Sequence, residues 1–189
     1  GGLRQAPFAM GFFGGSGVGK SSISAYMMNV VLLYNGFDAA DDKKITLNEA
    51  DKFMSNYKSH INGIFIDDIG NTKAEFVEKA PTQKMIEIIN NVPCYANMAE
   101  AELKGKVSVE PKVVITTKNV KDTCAHTYSN EPVSIARRDK ILVTVKVRPL
   151  FATHDMLDPA KVELYHHEAY PYDNLTPDLW LLTCEKAVP

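Results

Sequence analysis

Eight consecutive residues near the start of the chain, Gly14-Gly15-Ser16-Gly17-Val18-Gly19-Lys20-Ser21, have the types and spacing needed to hold a polyphosphate. Glycines let the backbone curl until successive N–H groups point at one anion. A helix beginning at this point adds the partial positive charge of its N-terminus. Lys20 can then reach the β- and γ-phosphates, and the Ser21 hydroxyl can enter the shell of a magnesium ion. ATP with Mg2+ is the ligand pair this chemistry implies. A chance match to the four fixed positions is on the order of one in a hundred at ordinary glycine usage.

Two carboxylates, Asp67 and Asp68, follow the apolar run Ile64-Phe65-Ile66. At the end of a buried strand beside such a loop, Asp67 can hold the magnesium shell and Asp68 can polarise an attacking water. Asn119 ends the strand read from Val113-Val114-Ile115-Thr116-Thr117, where its amide could touch both the γ-phosphate and that water. As a turn residue it would be equally natural. Arg137-Arg138 stand before Asp139. They read either as a surface ion pair or as an arginine donated to a neighbouring subunit's nucleotide, an effect worth about 10³–10⁵ in rate.

These residues need elements to place them. Pro7 to Phe13 reads as a buried strand entering the glycine turn, and Ile23, Met27, Val30, Val31 and Tyr34 give Lys20 to Tyr34 a helical period that Gly36 stops. A second helix is expected over Thr46 to Tyr57, with Thr46 and Glu49 as a capping box. Further strands are expected at Ile61 to Ile66, Lys112 to Thr117 and Lys140 to Val147, and further helices at Pro81 to Asn91 and Glu131 to Arg138. Alternating strands and helices predict an α/β fold with a mostly parallel central sheet. A core domain over 1–150 and a C-terminal extension over 151–189 packing on it are the expected division. Leu179 to Leu182 reads as a last strand or a docking segment, and Trp180, the only tryptophan, as core packing.

Bulk properties narrow the partners. The 189 residues suffice for one domain, and 45% apolar with 23% charged residues is ordinary for a globular protein. A formal charge of −2 supplies no global basic field, so nucleic acid would have to meet a local patch. Asp38, Asp41 and Asp42 read as a solvated loop. Cys94, Cys124 and Cys184 lack zinc-ligand spacing, and their odd number suggests free thiols in a reducing compartment. No apolar run approaches the roughly 20 residues of a membrane span. The opening Gly1-Gly2 suggests an excised fragment whose flanks carry any targeting signal.

Gly14–Ser21, Ile64–Asp68, Val113–Asn119 and Arg137-Arg138, in this order and within so short a span, resemble the superfamily 3 helicases. The resemblance is to the picornavirus-like 2C-like replication ATPases of positive-strand RNA viruses and covers roughly residues 8 to 150. It implies a three-layer AAA+ P-loop NTPase fold and a homo-oligomeric ring, typically a hexamer, with ATP hydrolysed between subunits. It also implies a polyprotein origin and a role in RNA replication with other viral replication proteins. The place would be the host cytoplasm, at membrane-associated replication complexes. Ala99 to Val107 resembles the loop that faces the ring pore in related helicases, so Lys104 and Lys106 are candidates to contact RNA phosphates. An exposed lysine turn is the plainer reading. The family's cysteine-rich zinc segment has no counterpart between Asn119 and Arg137, and its membrane-binding helix lies outside this sequence.

Other classes fit less well. A GTPase switch wants Asn-Lys-x-Asp, and Lys118-Asn119-Val120-Lys121-Asp122 has the letters in the wrong order. A small-molecule or nucleotide kinase is the runner-up, and Arg137, Arg138 and Arg148 are sparse for its phosphate lid. A monomeric motor with two motor domains needs a far longer chain.

Overall fold

The computed structural model describes residues 5–48, 57–58, 60–67, 95, 98–119, 140–169 and 178–186. In chain order the elements are β1 (Phe8–Phe13), α1 (Lys20–Tyr34), β2 (Lys44–Asn48), β3 (Gly63–Asp67), β4 (Val113–Lys118) and β5 (Ile141–Val147). A small hairpin of β6 (Ala152–Thr153) and β7 (Met156–Leu157), a helix α2 (Pro159–Ala169) and a final strand β8 (Trp180–Lys186) follow. Six strands form one sheet in the order β2-β3-β4-β1-β5-β8. The first five are parallel, and β8 runs antiparallel to β5 from Ile141↔Lys186 to Val147↔Trp180. The expected α/β fold with a mostly parallel sheet is therefore present.

Both faces of the sheet are covered, which is why β4 is buried at all six positions. Side chains alternate between two cores. Met10, Phe12, Val113, Ile115, Val143 and Val145 face α1, together with Ile23, Met28 and Leu32 of that helix. Ala9, Val114, Ile64, Ile66 and Leu47 face the other way, under Tyr57, Met98 and Val109.

The helix at Lys20 to Tyr34 forms over the expected residues, and Ile23, Met27 and Val31 pack on the core, but the most buried stripe lies to one side of them. Lys20, Ser24, Met28 and Leu32, four apart, point inward with Ile23, while Val30 is 41% and Tyr34 89% exposed. Apolar residues surround this helix, so period alone does not set its phase. The lysine, which must meet the loop, does. The end is a Schellman motif at Gly36: Phe37 N–H donates to Leu32 C=O and Gly36 N–H to Leu33 C=O.

One expectation fails. Thr46 does not start a helix but lies in β2, paired with Phe65 of β3. Ile45 and Leu47 alternate with Lys44 and Thr46 at period two, and their burial on the second core outweighs the capping pattern. Residue 49, the other half of that pattern, lies outside the described residues. The tail forms the helix α2 and the strand β8. Pro159 occupies the first helical position of α2, where no N–H is needed. Asp158 caps that helix by accepting from Ala160 N–H at 3.0 Å, and its carbonyl accepts from Val162 N–H. The expected strand at Leu179 to Leu182 is present as β8 and joins the sheet itself. The expected helices at Pro81 to Asn91 and Glu131 to Arg138 lie outside the described residues.

Candidate functional site

Register decides which residues can meet. Phe13 of β1 is level with Lys118 of β4, and Ile66 of β3 with Thr116 of β4. The carboxyl ends of β1, β3 and β4 thus form one rim, where the loop 14–19, Asp67 and Asn119 all emerge.

The loop leaves β1 through Gly14, whose N–H donates to Lys118 C=O at 3.3 Å. A Cβ at Gly14 would stand 2.6 Å from the Val145 carbonyl oxygen, so only glycine passes between β1 and β5. Gly17 (φ 74°) and Gly19 (φ 94°) take the left-handed conformation that reverses the chain into α1. Val18, 4% exposed, anchors the loop in the core. Helix α1 starts at Gly19 with no side-chain cap and no acid in its first turn. Its N-terminal partial charge is thus left to the rim, as an anion site requires.

Lys20 is 8% exposed at the first position of α1. Its Nζ donates to the carbonyls of Gly14 (3.0 Å) and Gly15 (2.8 Å) and to Asn119 Oδ1 (2.8 Å). The loop lysine and the amide 99 positions away are thus brought together. Ser21 is exposed beside them in the first turn. Asp67, half-buried, accepts a hydrogen bond at Oδ1 from Thr117 Oγ1 (3.0 Å), which fixes the carboxylate against β4. The donor set suits a nucleotide with magnesium: a lysine and glycine N–H groups for phosphate, and a hydroxyl with a carboxylate for a hard cation. Asp68, Arg137 and Arg138 lie outside the described residues.

Lys104 and Lys106 sit apart from this rim. Both are exposed on either side of Gly105, after a 3-10 turn at Ala101–Leu103. Leu103 and Val107 pack on the second core and hold the turn.

Three contributors escaped the sequence reading. Thr117 had been only part of a strand end. Leu157 and Trp180 bind the loop from outside: Leu157 N–H donates to Gly17 C=O (2.9 Å) and the Trp180 indole Nε1–H to Val18 C=O (2.6 Å). Trp180 packs against the first core, as expected, but it is only half-buried and its ring also lies against Gly19.

Lysine, carboxylate and amide reach this rim from α1, β3 and β4, and the parallel pairing of β1, β3 and β4 is what makes their carboxyl ends coincide. That architecture is the α/β P-loop NTPase fold. The profile of a family described as RNA helicase matches residues 10–120, well over half of the chain. The chain belongs to this family, a helicase family of superfamily 3 type. It is also similar to a protein of Tomato torrado virus called RNA1 polyprotein, with 25% identity over 184 residues. The match covers 91% of this chain and 8% of that polyprotein, so the chain spans under a tenth of its relative's length.

Proposed function

We propose that this chain is the motor of a viral RNA-replication helicase, a Mg2+-dependent ATPase that works as a homo-oligomer on RNA. The observation that carries this reading is the Lys20 ammonium, held at a helix N-terminus between two loop carbonyls and Asn119 Oδ1. Gly14, Gly15, Ser16, Gly17, Val18 and Gly19 present the backbone around the phosphates, and Lys20 neutralises charge on them. Ser21 and Asp67 would hold Mg2+, which would supply neutralisation of phosphate charge. Asp68 orients and deprotonates the attacking water, and Asn119 couples Lys20 to the γ-phosphate. Arg137 or Arg138 completes a neighbouring subunit's site.

Lys104 and Lys106 contact RNA phosphates from their anchored turn. The viral polyprotein relative supports a polyprotein origin and work in a host cell; the cytoplasm and the company of other replication proteins belong to the same proposal. A phosphate-transferring kinase is less favoured, because the Arg148 guanidinium, which a lid would need, is paired with Asp178 at 2.6 Å.

The test is ATP turnover per subunit as protein concentration rises, with Lys20→Ala as the blank. Turnover that climbs with concentration and vanishes in the blank is expected. Flat turnover from a chain that light scattering shows to be monomeric would overturn the shared site, and phosphate appearing on an added acceptor would indicate the kinase.

A further inference from the structure

Two carbonyls of the phosphate loop are held by residues far along the chain. Leu157 N–H holds Gly17 C=O at 2.9 Å, and the Trp180 indole N–H holds Val18 C=O at 2.6 Å. Across a trans peptide, a carbonyl and the N–H that follows it point in opposite directions. Holding Gly17 C=O outward therefore aims Val18 N–H to the opposite side, and holding Val18 C=O aims Gly19 N–H in the same way. Gly17 and Gly19 are the two loop residues with positive φ and the greatest intrinsic freedom, so the peptides between them most need an external restraint.

The surroundings of Trp180 are built to place it. Its ring lies against Gly19, where a Cβ would come within 3.0 Å of Cζ2. Just before it, Leu179 is buried and its carbonyl accepts from Arg148 N–H at 2.8 Å. Asp178 pairs with the Arg148 guanidinium. Met156 covers Gly17 in the same way that the indole covers Gly19. Arg148, Met156, Leu157, Asp178, Leu179 and Trp180 all lie beyond the stretch that matches the helicase family.

We propose that Trp180 is a positioning residue of the nucleotide site. With Leu157, it fixes the outward carbonyls of the loop so that the Val18 and Gly19 N–H groups face the phosphates. The proposal rests on the nucleotide-binding reading above. It also makes the only tryptophan of the chain a reporter of occupancy, since phosphates pulling on those N–H groups change the bond its indole makes.

The decisive variant is Trp180→Phe, which keeps an aromatic ring against Gly19 and removes the N–H. Equilibrium dialysis with ADP and Mg2+ should give a dissociation constant raised roughly three- to tenfold, the scale of one lost hydrogen bond. A merely structural indole would lower the melting temperature and leave the affinity of the folded protein unchanged, and that result overturns the proposal. If Trp180→Phe does not fold, wild-type emission decides. It should change saturably with ADP, at the dialysis constant, and not at all in Lys20→Ala. Flat emission while dialysis shows bound ADP overturns the proposal alone. A wild-type chain that retains no ADP overturns the nucleotide reading, and this proposal with it.

Discussion

Lys20 joins α1 to the loop behind it and to Asn119 at the end of β4, so its loss should be felt at all three. Lys20→Ala is expected to lower ATP turnover by about a hundredfold or more, the usual cost of deleting one charge-stabilising donor. Gly14→Ala tests space instead of charge. Its Cβ would meet the Val145 carbonyl, and the strain should destabilise the fold by about 1–3 kcal/mol in urea titration. Thr117→Val removes the donor that orients Asp67. If Asp67 holds Mg2+ as proposed, the Mg2+ concentration for half-maximal turnover should rise by about tenfold or more. The loop and Asp67 were legible in the sequence because their chemistry lies within a few consecutive residues. Thr117 and Trp180 were not, because each has a partner at 50 or 162 positions' distance, and no local pattern announces such a pairing.

The elements around the site were legible where one period dominated. β4 and β5 are short apolar runs too brief for helices, and both formed as read. β2 was misread because Thr46 offers a plausible cap, while the alternation of Ile45 and Leu47 matters only beside β3. Helix α1 formed as read, with Ile23, Met27 and Val31 on the core, but Val30 and Tyr34 at its edge are exposed while Met28 and Leu32 are buried. Leu32→Ala should therefore cost about 2–5 kcal/mol of unfolding free energy and Tyr34→Ala far less. At α2, the Asp158 carboxyl is held below its ordinary range, chiefly by the Thr153 hydroxyl bond and also by the Ala160 N–H. A lowered folded-state value means that this stabilisation is present above the unfolded carboxylate range. It is lost as pH falls through the folded value. Asp158→Asn should accordingly lower the melting temperature at neutral pH and narrow its gap to wild type in acid.

At the scale of the molecule, the parallel sheet was foreseeable from the alternation of elements, whereas the antiparallel β8 was not, because pairing direction leaves no trace in a strand's own residues. If Lys104 and Lys106 meet RNA, changing both to Ala should weaken binding and flatten its salt dependence. The slope of log affinity against log salt should fall by about 1.4, two phosphates' worth on a single strand. The bond from Trp180 to Val18 has a further consequence, in time. It closes over 162 positions, so a ribosome adding about 5–20 residues per second needs roughly 8–32 seconds after making the loop to supply the residue that holds it. Through that interval β1 and α1 can exist, but the loop between them lacks its outer restraint. A nascent chain of this kind gains the outer restraint of its loop only once residue 180 has been added, and a version cut before residue 180 should fold its first strands yet bind nucleotide weakly.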